Sequence, residues 1–149
     1  MDHTLLRLTT LEDAKQELLK LSKSTEIKAP QWNLNKILVH CTQTIEYSMT
    51  GYPKLKPKFI QATIGKIVIS KFLKQGFMKH DLTAPVPGAP DLSIESLEQA
   101  MSGLNSAINK FIAHSGELYP HLIFGKLSKS DYDKYFAMHI AEHLSELDY

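Results

Sequence analysis

Histidine is the side chain in this sequence best suited to chemistry near neutral pH, because an uncharged imidazole offers a lone pair to a metal ion or to a proton. Seven are present, at positions 3, 40, 80, 114, 121, 139 and 143. Only His139 and His143 stand four residues apart. On a helix that spacing points both rings from one face, as paired metal ligands require. Seven histidines in 149 residues give such a pair by chance in roughly a quarter of sequences, so spacing alone decides nothing. Position adds weight. At about 100° per residue, Tyr132, Phe136, Ile140 and Leu147 form an apolar stripe, and His139 and His143 fall within it or at its edge. A histidine facing a core is either a neutral, hydrogen-bonded core residue or a metal ligand. Both readings stand at this point.

A third donor has to come from elsewhere in the chain. His40 lies on an earlier helix, about 120° from the centre of that helix's apolar stripe. This position fits a helix edge turned toward the last helix, and it equally fits an exposed histidine. Cys41 sits mid-stripe and reads as a small buried hydrophobe rather than a thiolate ligand or nucleophile. His121 follows Pro120 in a loop and reads as an ordinary loop histidine, with a cover over the site as the alternative. His114 ends a helix, where a partial positive charge suits the dipole. His3 and His80 read as surface residues. Glu142 directly precedes His143. The motif His-Glu-x-x-His needs its glutamate where Ile140 stands, so that motif does not apply. Glu142 reads as solvent-facing, with support of a ligand as the alternative.

Five helical segments are expected to position these residues. The first spans 10 to 24, with Thr10 opening a capping box and Leu11, Ala14, Leu18 and Leu21 at helical spacing. The second starts at Asn33 and buries Leu34, Ile37, Leu38, Cys41 and Ile45, with Trp32 and Ile37 spaced as a hydrophobic staple. Gly51 and Pro53 stop it. A third runs from the tolerated first-turn Pro57 to Gln75, using Ile60, Ile64, Ile67 and Val68, and Gly76 ends it. Residues 81 to 92 hold three prolines and a glycine and form an extended crossing segment. Its length suggests a connection that spans a bundle, as in up-up-down-down arrangements. Ser93 caps a fourth helix reaching His114. A second irregular stretch follows from 115 to 128, and Ser130 to Asp133 opens a last helix ending near Leu147. No strand pattern is long enough for a sheet, so the expectation is one all-α domain over residues 1–149.

Composition narrows the partners. Hydrophobic content of 43% supports a sizeable core. No apolar run approaches a membrane span, and Met1-Asp2-His3-Thr4 lacks the blocks of a signal peptide. With one cysteine and no such segments, a cytoplasmic protein without an intrachain disulfide is expected. Net charge is +1. Seven lysines and no carboxylate lie between Lys54 and His80, whereas Asp131 to Tyr149 holds five acids and one lysine. Two solvated helix faces of opposite sign, packed together, account for this. A nucleic-acid partner is not expected, since Arg7 is the only arginine. A small-molecule substrate and a homodimer are the partners that remain.

One resemblance joins these pieces. Trp32-Asn33-Leu34 leads to His40. Gly51 and Pro53 follow that helix, a proline-rich run precedes Asp91, and Phe124-Gly125-Lys126-Leu127-Ser128 stands ahead of His139 and His143. Over residues 28 to 147 this pattern resembles the DinB-like (YfiT-like) superfamily of metalloenzymes, in a branch of unknown function. The resemblance implies a four-helix bundle, here with a short additional N-terminal helix and long crossover loops. It also implies a divalent metal, zinc or nickel, on His40, His139 and His143. Members of the branch often carry a histidine where this chain has Glu142.

Two functions follow as expectations. Three neutral imidazoles leave coordination positions open, as a catalytic metal site does, and a bound metal can generate a nucleophile near neutral pH. The resemblance points to a thiol-dependent transferase, with hydrolysis as a second reaction. The alternative is a non-catalytic bundle that acts through self-association, its histidines structural or vestigial.

Overall fold

A computed structural model describes residues 6–92 and 96–149. It is all-α, with helices α1 (Leu11–Ser22), α2 (Leu34–Thr50), α3 (Lys58–Ala62), α4 (Ile64–Gln75), α5 (Leu97–Ala113) and α6 (Lys129–Ser145). No strand occurs among the described residues, and no helix there is long and apolar enough to cross a membrane.

Helix starts follow side-chain chemistry. Thr10 and Asp13 form a reciprocal capping box on α1. The Asn33 side chain accepts from the Lys36 N–H at 2.9 Å and opens α2. The fourth long helix was expected to begin at Ser93, which lies outside the described residues. Its described cap is Ser96, paired with Gln99. The last helix starts at Lys129, just before the expected Ser130, because Ser128 accepts from the Asp131 N–H. Each cap satisfies an amide that the first helical turn leaves without a carbonyl. Gly51 and Gly76 end α2 and α4 at positive φ, where glycine alone is unstrained.

The third expected helix is broken. Thr63, at φ −117° and ψ −91°, separates α3 from α4. The face assigned to it is also different. Ile64 and Ile67 are 57% and 70% exposed, and α4 buries Gly65 and Ile69 instead. The reason is a close backbone approach: a Cβ on Gly65 would lie 2.0 Å from the Ile123 carbonyl oxygen. Only glycine lets α4 sit on the 121–125 loop this closely.

Helices α1, α5, α2 and α6 pack in a closed circuit, each on the next, with α2 against α5 the most extensive pairing. In the expected bundle the N-terminal helix is the addition. The packing includes α1 in the circuit and places α4 against α6 alone, apart from its neighbour α3. Leu18, Leu38, Leu104, Ile108, Phe136 and Ile140 form the centre of the core. On α1 and α2 every residue of the expected stripes is buried. Fully burying one such leucine contributes about 1.5–3 kcal/mol.

Helix α6 differs from the others. From Tyr135 to Leu144 every residue is buried, because α1, α2 and α4 all pack on this helix. A smaller apolar cluster of Tyr52, Val86 and Leu122 joins the two long loops to the end of α2. Two backbone bonds reinforce it, from the Tyr119 N–H to the Ser48 carbonyl and from the Lys56 N–H to the Leu122 carbonyl, each 2.8 Å. The lysine-rich α4 does pack on the acidic α6, yet no lysine of residues 54–80 forms an ion pair among the described residues.

Candidate metal centre

Helix α2 supplies His40, and α6 supplies His139 and His143. The 76–92 segment adds His80, which sequence reasoning placed on the surface. One ligand nitrogen from each of these four lies within 4.8 Å of the other three. His40 Nε2 and His139 Nε2 are 3.2 Å apart. Two nitrogens bound at ~2.05 Å to one tetrahedral ion stand about 3.3 Å apart, so this spacing suits shared coordination. His40 and His80 each face both α6 rings, at 5.0–5.1 Å between centroids, and His139 and His143 are 4.8 Å apart.

His80 is held by Glu142. The His80 backbone N–H donates to Glu142 Oε1 at 2.6 Å, and the ring Nδ1 meets Glu142 Oε2. This turns Nε2 toward the other three histidines. Glu142 is therefore not solvent-facing. It is 9% exposed, and its buried carboxylate takes both bonds from one loop residue. The position of His80 could not be read from periodicity, since it lies on a loop. Nor does the sequence show that Glu142, in the middle of α6, is buried and draws its donor from outside the helix.

The orphaned polar atoms test whether a metal fits. His40 Nδ1, His80 Nε2 and both nitrogens of His143 are buried with no hydrogen-bond partner among the described residues. Leaving one buried polar atom unmade costs ~1–3 kcal/mol. One cation takes a single lone pair from each ring, so it would satisfy His80 Nε2 and one nitrogen of His143, while His40, whose Nε2 faces His139, would keep its Nδ1 without a partner among the described residues. The donors are also in the right form. Burial, and then the neighbouring charge of His80, lowers the His40 pKa to about 4. Burial with His40 and His80 takes His143 to about 2, and burial with His143 foremost among its neighbours holds His139 well below the usual histidine range. All three are uncharged at neutral pH, and this residue set fits a divalent ion that accepts imidazole nitrogen.

The surroundings are aromatic and apolar. Trp32 meets His40 edge-on at 5.4 Å and stacks over His143 at 6.4 Å with a 2° interplanar angle. A cavity of about 190 Å³ opens beside the cluster, lined by His40, His80, His139, His121, Tyr52 and Tyr135 together with Val86 and Leu122. His121 is thus buried within the cavity wall, 2% exposed, and its pKa falls to about 3 through burial and the charge of Lys66. Cys41 is buried, its thiol pushed up to about 12 by burial alone, and it takes no part in the cluster. His114 ends α5 as expected, with its ring against the Glu117 carbonyl. His3 lies outside the described residues.

The chain matches, over residues 1–149, a family described as "Protein of unknown function (DUF1569)". No curated protein and no solved structure matches it.

Proposed function

We propose, for a chain that belongs to the DUF1569 family of unknown function, that it is a divalent-metal-dependent enzyme acting on a small molecule in the cavity beside the histidines. The observation that carries this reading is the convergence of four imidazoles, of which His40, His80 and His143 hold orphaned nitrogens and His40, His80 and His139 line that cavity. His40, His139 and His143 are the constant holders, since two regular helices fix them. His80 is the exchangeable donor. It comes from a loop, its side chain is 24% exposed, and it lines the cavity. Glu142 fixes its ring and leaves Nε2 as the free lone pair. When bound, a divalent ion supplies Lewis acidity that polarises a carbonyl and lowers the pKa of a coordinated water or thiol. Val86 and Leu122 on the cavity wall and Trp32 against the rings make the surroundings apolar, which strengthens electrostatic interactions within the site.

The sequence resemblance to DinB-like metalloenzymes supports the same three helix-borne ligands, zinc or nickel as the metal, and thiol transfer or hydrolysis as the reactions to test first. The closed circuit of α1, α5, α2 and α6 supports a DinB-like four-helix bundle. Phe59, Ile64 and Ile67, exposed on α3 and α4, offer an apolar face on which a homodimer would close.

A second reading has an observation of its own. Four imidazoles saturate a tetrahedral ion, which would make the site structural and the chain a non-catalytic bundle. Metal content of protein purified without a histidine tag is the first test. About one equivalent is expected, and none in His139→Ala. A chain that holds no metal, either native or after reconstitution, sinks both metal readings. His80→Ala then separates them. Retained metal with new access for small thiols supports the enzyme, and loss of metal together with loss of thermal stability supports the structural site.

A further inference from the structure

The cavity wall contains a hydrogen-bond relay whose direction the geometry fixes. His121 Nδ1 accepts from two backbone amides, Ile123 N–H at 3.1 Å and Phe124 N–H at 3.2 Å. A nitrogen that accepts two N–H bonds carries no proton of its own. The ring hydrogen of the neutral imidazole is therefore on Nε2, which faces the Tyr135 hydroxyl at 3.1 Å. Nε2 donates, and the phenol oxygen accepts. The phenol's own proton is left over, and no acceptor for it stands among the described residues.

This arrangement is held rigidly. His121 stacks on Phe124 at 4.3 Å and meets Tyr52 edge-on at 5.2 Å. The backbones of His121 and Gly125 bond each other in both directions, and the Gly65 contact presses on the same turn. Tyr135, 5% exposed, lies one helical turn before His139 and stacks on its ring at 5.8 Å. Both line the cavity. The phenol proton is therefore free to bond an oxygen inside the cavity, and a ligand oxygen there can take the place of water.

We propose that Tyr135 is the hydrogen-bond donor that recognises the cavity's ligand, and that this ligand is a small carbonyl or carboxylate compound whose oxygen accepts the phenol proton. His121 is the positioning residue that forces Tyr135 to donate. The cavity has the volume of about six waters, which limits the ligand to a few non-hydrogen atoms beyond that group. The inference rests on the metal reading only for the ligand's second anchor at the histidines.

The test uses the full chain carrying ring-¹⁵N histidine and ¹³Cζ tyrosine, metal-free and with zinc added, and acetate as the probe. The signal missing in Tyr135→Phe assigns that residue. His121 is expected to show an unprotonated Nδ1 and a protonated Nε2 in both forms, and acetate is expected to move the Tyr135 signal to saturation. Tyr135→Phe weakens acetate about tenfold, read from the histidine signals, whereas ethanethiol, which offers no oxygen, binds within twofold of its original affinity. A proton on His121 Nδ1 overturns the inference, as does a Tyr135 signal that acetate leaves in place in both forms. Zinc content is measured on the same samples. A chain that takes no zinc refutes the metal reading, while the response of Tyr135 to acetate still decides the donor's role.

Discussion

Replacing Glu142 with glutamine probes the metal centre without touching a proposed ligand. Glu142 accepts two bonds from His80, one from the backbone and one from ring Nδ1. Glutamine keeps the shape and offers one carbonyl oxygen, so one bond survives and its amide NH₂ confronts a donor. Carboxylates that hold a ligating histidine contribute roughly 10- to 100-fold in metal affinity, or about 1.4–2.8 kcal/mol. Glu142→Gln is expected to weaken zinc within that range, measured by competition with a chromogenic chelator. His80→Ala should weaken it as well. The double variant is the decisive one. If Glu142 acts through His80, the two losses do not add, and Glu142→Gln on the His80→Ala background costs nothing further. It should even restore some stability to the metal-free protein, because the buried carboxylate there has lost its ring partner and keeps only the backbone N–H of residue 80. Full additivity, or an unchanged affinity in Glu142→Gln, would refute the assignment of His80 to the metal.

Three further outcomes are expected. Gly65→Ala places a Cβ against the Ile123 carbonyl oxygen and should destabilise the fold by about 1–3 kcal/mol or more; a urea midpoint equal to that of the parent counts against the close approach of α4. Cys41, buried with its thiol near 12, should resist a chromogenic disulfide at pH 8 until the chain is unfolded, and rapid labelling of native protein would contradict its place in the core. His121 is buried neutral with a pKa of about 3 against 6.5 unfolded, so the unfolded chain binds more protons below pH 6.5. Its share of stability is complete above that value and falls by ~1.4 kcal/mol per unit until pH 3. The pH slope of metal-free stability between 6 and 4 should therefore be shallower by about one proton in His121→Phe, and an equal slope in both proteins would show that this ring is not buried neutral.

Local chemistry made much of the fold legible. Thr10 and Asn33 cap the helices they were expected to cap, because a side-chain oxygen bonding an amide three residues on is a local event. Proline and glycine placed the irregular loops. Failures came where distant chain segments meet. Nothing near Thr63 announces a break, and the orientation of α4 follows from the approach of Gly65 to a loop some sixty residues later. An apolar stripe marks the inward face only of an amphipathic helix, and α6 is enclosed along most of its length. Both histidines do face inward, but so does nearly everything around them. That enclosure is also why Glu142, read as solvated, is buried, and why its partner had to arrive from a loop that carries no periodic signal.

Trp32 is the only tryptophan in the chain, and its indole lies against His40 and His143. The protein thus carries an optical reporter at its own candidate centre, one that needs no label. Open-shell ions quench a neighbouring indole strongly, and closed-shell ions mostly alter its emission through the rings they reorganise. Emission followed during titration with nickel and then zinc would report filling of the site, exchange of one ion for the other and the rate of each in a single cuvette.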